Sequence, residues 1–311
     1  MSRDIPPIRS LLFCAGDQDD EIKEGLRSGA DAIVIDLEEP RTPFPEAERE
    51  RTRGRVRALL DARGEGAPGD PLVFARVQPP ATGQTLKDLR AVMGPGLAGV
   101  LLPKVQGPAD IHAAEALLTC MEVELVIEAG HTWIYPILET AQGLRLAYDI
   151  AVASRRVAYI GGAVSRFGDI HQALGYRWTA EGRETLFLRS KVLIDARAAG
   201  IRYPISGMWG GALDDEAGLR TWATELRNLG YYGMMLGDAR LIPVVHEVFT
   251  PTAAEVAYWN DLVHLATAAE VTGEGPIVYG DPNQGEGHVV HIAHVGSARQ
   301  NLEWAHALGL V

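Results

Sequence analysis

The sequence predicts the α/β class, in the form of a (β/α)8 TIM barrel followed by a C-terminal helical arm. Eight short apolar runs recur within about 240 residues, and stretches with helical spacing follow most of them. This alternation favours a parallel sheet with helical crossovers, and eight units fit a closed barrel better than a doubly wound sheet. No G-x-G-x-x-G motif follows the first run, which argues further against a dinucleotide-binding fold.

The strands are predicted where four to six apolar residues stand between polar or turn-forming segments. In chain order they are Ile8–Phe13, Ala32–Asp36, Leu72–Val77, Gly99–Leu102, Trp133–Leu138, Val157–Ile160, Tyr203–Ser206 and Gly233–Leu236.

The helices are predicted from apolar residues at helical spacing and from their end signals. Glu46 and Glu48 suit the first turn of the second helix, and Gly29, Gly200 and Gly230 suit the ends of three others. In chain order the helices are Gln18–Ser28, Pro45–Arg63, Leu86–Met93, Pro108–Leu118, Gln142–Ser154, Gly182–Ala199 and Glu216–Leu229. The stretch Met121–Gly130 is ambiguous and compatible with a helical end.

The last sixty residues differ from the repeating βα units. A helix is predicted at Ala253–Val271, a Gly-rich polar loop at Thr272–Gly287 and a final helix at His291–Leu308. We therefore expect a catalytic barrel over residues 1–251 and a helical arm or lid over residues 252–311. We expect the arm to pack on a barrel, either that of its own subunit or that of a neighbouring subunit.

The composition limits the classes of function. The net charge of −12 argues against nucleic acid as a partner, because phosphate binding needs a basic surface. No apolar run approaches the roughly 20 residues of a membrane span. Cys14 and Cys120 form neither a disulfide framework nor a zinc motif, so we expect a cytoplasmic protein.

Charged residues follow several predicted strands at the end where barrel enzymes carry their active sites. Asp36, Glu38 and Glu39 close the second strand, and Arg76 lies near the end of the third. Further charged residues follow the fourth, fifth, sixth and eighth strands: Lys104, Glu139, Arg166, Asp169 and Asp238. The set is compatible either with a divalent-cation site or with an ion-pair network that ties the strands together.

A magnesium site is the first of these interpretations. Mg²⁺ takes one or two carboxylates with water and substrate oxygens, and Glu139 with Asp169 would supply that minimum. The cation would polarise a carbonyl and stabilise an enolate, while Arg76 would bind a carboxylate or a developing oxyanion. Asp36 is then a residue that orients Arg76 or the metal site, and Lys104 a structural partner of the carboxylates.

Several segments resemble the citrate lyase β-subunit-like family, also called the HpcH/HpaI aldolase family. The similarity runs from Arg9 to Pro251 and depends on the order and spacing of short motifs. These are Arg9–Gly16, the Asp-Leu-Glu-Glu stretch within Ala30–Pro40, Phe74–Gln78, the Leu-Pro-Lys-Val of Leu101–Val105, the Glu-Thr of Ile137–Ala141, Asp169 with Leu174-Gly175, Ala196–Gly200 and Phe249–Pro251.

The resemblance implies a barrel in a homo-oligomer, a trimer or hexamer, whose C-terminal arm reaches a neighbouring subunit. It implies Mg²⁺, with Mn²⁺ as a substitute, held by Glu139 and Asp169, and Arg76 on the substrate. The reaction it implies is cleavage or formation of a β-hydroxyacyl-CoA of the malyl-CoA or citramalyl-CoA type. A 2-oxo acid would bind the metal, and an acyl-CoA enolate would be the other fragment. The arm would supply an acidic catalytic residue, Asp281 or Glu286.

The sequence departs from the family pattern at three places. Phe167-Gly168 directly precedes Asp169, where relatives have a longer spacing, and Gln78 replaces an asparagine. Gly233–Asp238 lacks the lysine and histidine that many relatives carry near the eighth strand. Alternative functions therefore stay open: a class II aldolase of free 4-hydroxy-2-oxo acids, a malyl-CoA-type thioesterase, or a non-catalytic subunit that keeps the barrel.

Five further side chains, four histidines and one cysteine, are candidates for chemistry. His171 follows Asp169 by two residues, and a surface or capping position is favoured over an acid–base role. The histidines 288, 291 and 294 fit one face of a helix better than a zinc site. Cys14 is expected to be packed in the core and not to act as a nucleophile.

Overall fold

The computed structural model describes residues 5–162, 164–272, 277–280 and 287–311, which divide into two compact units at Phe249 and Thr250. In the described part of the chain, no helix combines the length and apolar character needed to cross a membrane.

The first unit is a nearly closed barrel of eight parallel strands with helices, which confirms the predicted fold class. The strands are β1 (Ser10–Ala15), β2 (Ala32–Asp36), β3 (Leu72–Arg76), β4 (Gly99–Leu102), β5 (Trp133–Leu138), β6 (Gly161–Gly162), β7 (Ile205–Met208) and β8 (Gly233–Leu236). The sheet runs from β6 through β5, β4, β3, β2 and β1 to β8 and β7, and every pairing in it is parallel.

The helices that surround the barrel occupy the connections between strands. They are α1 (Asp19–Gly25), α2 (Glu46–Arg63), α3 (Thr85–Val92), α4 (Pro108–Glu124), α5 (Ala141–Arg145), α6 (Ala147–Val152), α7 (Asp169–Leu174), α8 (Arg183–Ala198), α9 (Glu216–Leu229) and α10 (Ile242–Phe249). Their ends follow local chemistry. Asp215 caps α9 by accepting the Gly218 N–H at 2.9 Å, and Gly230 ends it with a left-handed φ of 113°.

Glycines allow β6 and β7 to lie close together at the seam of the barrel, which is the place where Gly161–Gly162 faces Ile205–Met208. A Cβ on Gly161 would lie 2.3 Å from the Ile205 carbonyl oxygen, and one on Gly207 would lie 2.3 Å from that of Val164. Side chains there would force the backbones apart, so glycine is required for this approach. Among the described residues the strands β6 and β7 share no ladder of hydrogen bonds.

Three predicted strands are displaced in the structure. The run Val157–Ile160 is buried, but only Val157 forms a parallel bridge, to Ile134, and the ladder with β5 forms at Gly161–Gly162. The run is apolar because it is buried, and a short apolar run has the same sequence pattern as a buried strand. The seventh strand begins at Ile205, after Pro204, and has a bulge between Ser206 and Met208. The first begins at Ser10, in register with β2.

Three helical predictions also change. The predicted helix Gln142–Ser154 is two short helices, α5 and α6, which meet at Leu146, where the backbone leaves helical geometry. The ambiguous stretch after Leu118 continues α4 as far as Glu124. The predicted helix Gln18–Ser28 is shorter, since α1 ends at Gly25.

Two apolar layers hold the barrel. The interior contains an aromatic group in which Tyr159 packs against Phe74, Trp133 and Tyr135 with ring centroids 5.9 to 6.0 Å apart. The outer layer between strands and helices is mostly aliphatic. The interior of the barrel is therefore filled by side chains beneath the carboxyl ends of the strands.

The second unit contains two helices, α11 (Ala253–Thr272) and α12 (Ile292–Ala307), that pack on each other. The predicted Gly-rich loop contains two short antiparallel strands in its described part, β9 (Val278–Gly280) and β10 (Gly287–Val289). Tyr279 of β9 stacks on Tyr258 at 5.7 Å. The packing of this unit on a neighbouring subunit stays a prediction.

Candidate active site

The charged residues that the sequence placed at strand ends lie at the carboxyl-terminal face of the barrel. Asp36 and Arg76 are the last residues of β2 and β3, Glu139 directly follows β5, and Asp169 begins α7. Lys104 follows β4 by two residues. Parallel strands bring these positions to one face, which is where barrel enzymes carry their active sites.

Arg76 and Asp36 form a two-pronged ion pair. Nε of Arg76 donates to Oδ1 of Asp36 at 2.8 Å, and Nη2 donates to Oδ2 at 2.7 Å. Nη1 lies 3.0 Å from Oε2 of Glu38, and the guanidinium stands over the ring of Phe13. Burial lowers the pKa of Arg76, but the two carboxylates more than offset it and the net pKa is raised. Arg76 is therefore a fixed, permanently charged group, oriented by Asp36.

Glu38 follows the second strand, where the sequence allowed it to be an ion-pair partner of Arg76, and the structure places it at the centre of the charged group. Its side chain is 3% exposed and contacts both Arg76 and the ammonium of Lys104. Burial raises the pKa of Glu38 although the two cations oppose this. Its backbone is held as well, because Nε2 of Gln78 donates to the Glu38 carbonyl oxygen at 2.7 Å. The single signal in the sequence was its position two residues after the strand.

Lys104 connects the carboxylates of three loops. Its backbone N–H donates to Oε1 of Glu139 at 2.9 Å, and its ammonium contacts Glu38 and lies 3.2 Å from Oδ2 of Asp169. The backbone of Lys104 has a φ of 54°, a conformation that residues other than glycine rarely adopt. Burial lowers the pKa of Lys104, but Glu38 reverses this and brings it to about 12. Its ammonium is therefore charged throughout the physiological range.

The pKa of Glu139 is raised. Burial, followed by repulsion from Glu38, raises its pKa to about 7, against the attraction of Arg76 and Lys104. It does not cap the helix that follows. Thr140 caps that helix instead, because its hydroxyl oxygen accepts the Gly143 N–H at 2.8 Å. Glu139 thus faces the charged group and not its own helix, as expected for a carboxylate with a function beyond capping.

A cleft of about 230 Å³ opens beside these groups. Arg76, Glu139 and Asp169 line one part of it, and Glu39 also contributes. The rest of the wall is apolar or bare backbone: Phe13, Ile137, Val164, Ile170, Met208 and Met235, with the glycines 162, 168 and 207 and Ser165. A small ligand with a carboxylate or carbonyl at one end and an apolar part at the other fits this distribution.

The oxygen donors of the cleft suit a hard cation. No cluster of three or more His, Cys, Asp or Glu side chains arranged for a metal occurs among the described residues. Glu139 and Asp169 nevertheless line the same cleft, and Mg²⁺ commonly binds proteins through one or two carboxylates, with water and substrate completing its shell. The ammonium of Lys104 between Glu38 and Asp169 also shows that these carboxylates bind positive charge.

Several other residues noted in the sequence have contacts of their own. Asp238 pairs with Arg240 two residues later, at 2.8 Å. The ring of His171 packs on the edge of Tyr176, with centroids 5.2 Å apart. The backbone N–H of His291 donates to the ring of His294 at 3.2 Å at the start of α12. Cys14 is buried in the core. Asp281 and Glu286, predicted as acidic catalytic residues, lie outside the described residues.

Two known proteins are similar in sequence to this chain over nearly its whole length. A citrate lyase subunit beta-like protein of Deinococcus radiodurans is 32% identical over 96% of this chain and 98% of its own. A (3S)-malyl-CoA thioesterase of Cereibacter sphaeroides is 28% identical over 99% of this chain and 98% of its own.

The fold likewise matches a solved structure, CitE of Mycobacterium tuberculosis in complex with magnesium, acetoacetate and coenzyme A. The TM-score is 0.68 at 21% identity, over 97% of this chain and 98% of that chain. A model of the HpcH/HpaI aldolase/citrate lyase family matches residues 9–239. The chain therefore belongs to the HpcH/HpaI aldolase/citrate lyase family.

Proposed function

We propose that this protein is a Mg²⁺-dependent carbon–carbon lyase that cleaves or forms a β-hydroxyacyl-CoA of the malyl-CoA or citramalyl-CoA type. The observation that carries the proposal is the shared cleft of Arg76, Glu139 and Asp169. Glu139, Asp169 and one fixed guanidinium line the same small cleft, together with Glu39, and most of the other lining residues are apolar or glycine. This arrangement suits the 2-oxo acid half of such a substrate.

Glu139 and Asp169 would hold the cation. When bound, Mg²⁺ supplies a Lewis acid that polarises the carbonyl of the 2-oxo acid. Glu38 lies behind Arg76 and Lys104, and it adds negative charge to the site without lining the cleft itself.

Arg76 would bind the carboxylate or carbonyl oxygen of the 2-oxo acid. Asp36 accepts from Nε and from Nη2, and Glu38 lies beside Nη1, which leaves one hydrogen on each of Nη1 and Nη2 for a ligand in the cleft. A guanidinium that is already oriented stabilises developing negative charge without reorganising during the reaction. In this proposal Asp36 serves to position Arg76.

The bond changes follow from the substrate chemistry. In the cleavage direction a base removes the proton of the substrate hydroxyl, and the adjacent carbon–carbon bond breaks. Its electron pair forms the enolate of the acyl-CoA, which then takes a proton at carbon. We propose Asp281 or Glu286 of the C-terminal arm as the acidic residue that exchanges the proton. We also propose a cytoplasmic homotrimer or homohexamer in which a neighbouring subunit supplies this arm.

A second candidate is hydrolysis of a malyl-CoA-type thioester. It is favoured by the similarity to the (3S)-malyl-CoA thioesterase over nearly the whole chain. The same cleft would bind the hydroxy-acid part, and water would attack the thioester carbonyl carbon, which releases the CoA thiol and the free hydroxy acid.

One assay separates these candidates. Acetyl-CoA or propionyl-CoA is mixed with glyoxylate or pyruvate and Mg²⁺, and the products are identified by mass spectrometry, with EDTA and the Glu139→Gln variant as controls. A β-hydroxyacyl-CoA that needs both the metal and Glu139 supports the lyase. In a second reaction supplied with malyl-CoA, free malate and released CoA without acetyl-CoA or glyoxylate support the thioesterase. No product from any pair, with turnover of pyruvate and aldehydes instead, would replace the proposal by a free oxo-acid aldolase.

A further inference from the structure

Lys104 contacts both proposed metal ligands through two different groups. Its backbone N–H donates to Glu139 at 2.9 Å, and its ammonium lies 3.2 Å from Oδ2 of Asp169. The ammonium also contacts Glu38, which is buried behind it. A left-handed backbone, with φ at 54°, accompanies both contacts.

The ammonium of Lys104 provides positive charge next to the carboxylate of Asp169. Arg76 is occupied by Asp36 and Glu38. In the part of the chain that the structure describes, Lys104 is the cation in ion-pair contact with Asp169. The ammonium thus neutralises charge at the carboxylate that a divalent cation would otherwise neutralise, while Glu38 offers it a second partner nearby.

We propose that the ammonium of Lys104 occupies the place of the divalent cation at Asp169, and that cation binding shifts it onto Glu38 alone. This inference rests on the proposed metal site and adds a competitor to it. Lys104 is then a positioning residue. It keeps Asp169 oriented and neutralised before the cation arrives, and it lowers the affinity of the site for that cation.

The affinity for Mn²⁺, used as a spectroscopic substitute for Mg²⁺, tests the competition. Electron paramagnetic resonance titration compares the wild type with Lys104→Met and Lys104→Gln, which remove the charge and keep the backbone N–H. Both variants are expected to bind Mn²⁺ on the order of tenfold more tightly, because a positive charge a few ångströms from the ion is removed. Lys104→Arg is expected to stay near the wild type.

Lys87→Met is the matched control for loss of one positive charge. Lys87 also bridges two carboxylates, Glu46 at 3.2 Å and Glu50 at 3.4 Å, but on the exposed surface. It is expected to leave the Mn²⁺ affinity unchanged. Equal or weaker binding in both folded Lys104 variants would overturn the inference.

Thermal unfolding gives a second readout that a purely structural role would not produce. Without a divalent cation the Lys104 variants should unfold at a lower temperature, because Asp169 and Glu38 lose their partner. Added Mg²⁺ should then raise the unfolding temperature by more than it does in the wild type, since the tighter ligand stabilises more. An equal rise in all variants would argue against competition. Absence of any Mn²⁺ binding by the wild type, even with pyruvate, would instead overturn the proposed function.

Discussion

The guanidinium of Arg76 and the carboxylate of Asp36 are joined by two nearly parallel hydrogen bonds of 2.8 and 2.7 Å across neighbouring strand ends. Because both residues end their strands in register, the pair is fixed by the sheet itself. This rigidity makes the pair a sensitive place to test the proposed chemistry.

Arg76→Lys is expected to lower kcat/KM by about a hundredfold or more, since a lysine cannot form the fork to Asp36 and bind substrate in the same geometry. Asp36→Asn should cost less, about tenfold, because it loosens the guanidinium without removing it. Steady-state kinetics on the substrate found by the condensation assay measure both. Equal activity of Arg76→Lys and the wild type would remove Arg76 from the mechanism.

Glu139 should make the metal-free protein less stable as the pH rises. Its pKa is about 7 in the folded chain against an ordinary value of 4.5, so between these pH values the folded chain binds more protons than the unfolded one. The free energy of unfolding therefore falls as the pH increases through this window.

Glu139→Gln removes this contribution. Urea unfolding with EDTA at pH 5 and pH 8 should show the variant gaining stability relative to the wild type at the higher pH. Glu24→Gln, at an exposed position of α1, is the control. A pH-independent difference between Glu139→Gln and the wild type would contradict the raised pKa.

Gly161→Ala should destabilise the barrel by about 2 kcal/mol, because the added methyl would overlap the Ile205 carbonyl oxygen at 2.3 Å and push β6 from β7. Gly54→Ala provides a contrast, since Gly54 lies within α2 and a Cβ there meets no atom within 4 Å. That change should stabilise the chain by about 0.5–1 kcal/mol. Chemical denaturation measures both changes, and a neutral Gly161→Ala would show that the seam is not tight.

Cys14 should resist thiol reagents while Cys120 reacts. Burial, with a smaller contribution from Glu21, raises the pKa of Cys14 to about 12, whereas Cys120 is exposed. Titration with Ellman's reagent should therefore count one thiol per native chain and two after denaturation. Two fast-reacting thiols in the native protein would contradict the packing around Cys14.

The sequence predicted the barrel well because its signal is local. β2, β4, β5 and β8 have the predicted bounds, as apolar runs between polar segments usually do in a parallel sheet. The sixth strand was misplaced because its pairing occurs at two glycines, which carry no hydrophobic pattern. Seam geometry depends on how the sheet closes, and closure is a property of the whole barrel.

The strand-end positions of the charged residues were predicted, and so were the contacts of Asp36 with Arg76 and of Lys104 with the carboxylates, but the central place of Glu38 was not. The strand-end rule found Asp36, Arg76, Glu139 and Asp169, since the ends of parallel strands meet at one face. The central position of Glu38 and the two-sided contact of Lys104 depend on loop conformation, including a positive φ at a lysine. Nothing in the local sequence around Leu101–Val105 indicates that conformation.

The unladdered seam between β6 and β7 has a consequence for substrate range. Gly162 and Gly207 belong to this seam and also line the cleft, so one wall of the cavity is backbone that has no ladder hydrogen bonds across the seam. A small change in the spacing of β6 and β7 would change the room in the cleft without breaking a ladder between these two strands. If the proposed function holds, this seam is where directed evolution toward larger substrates should begin.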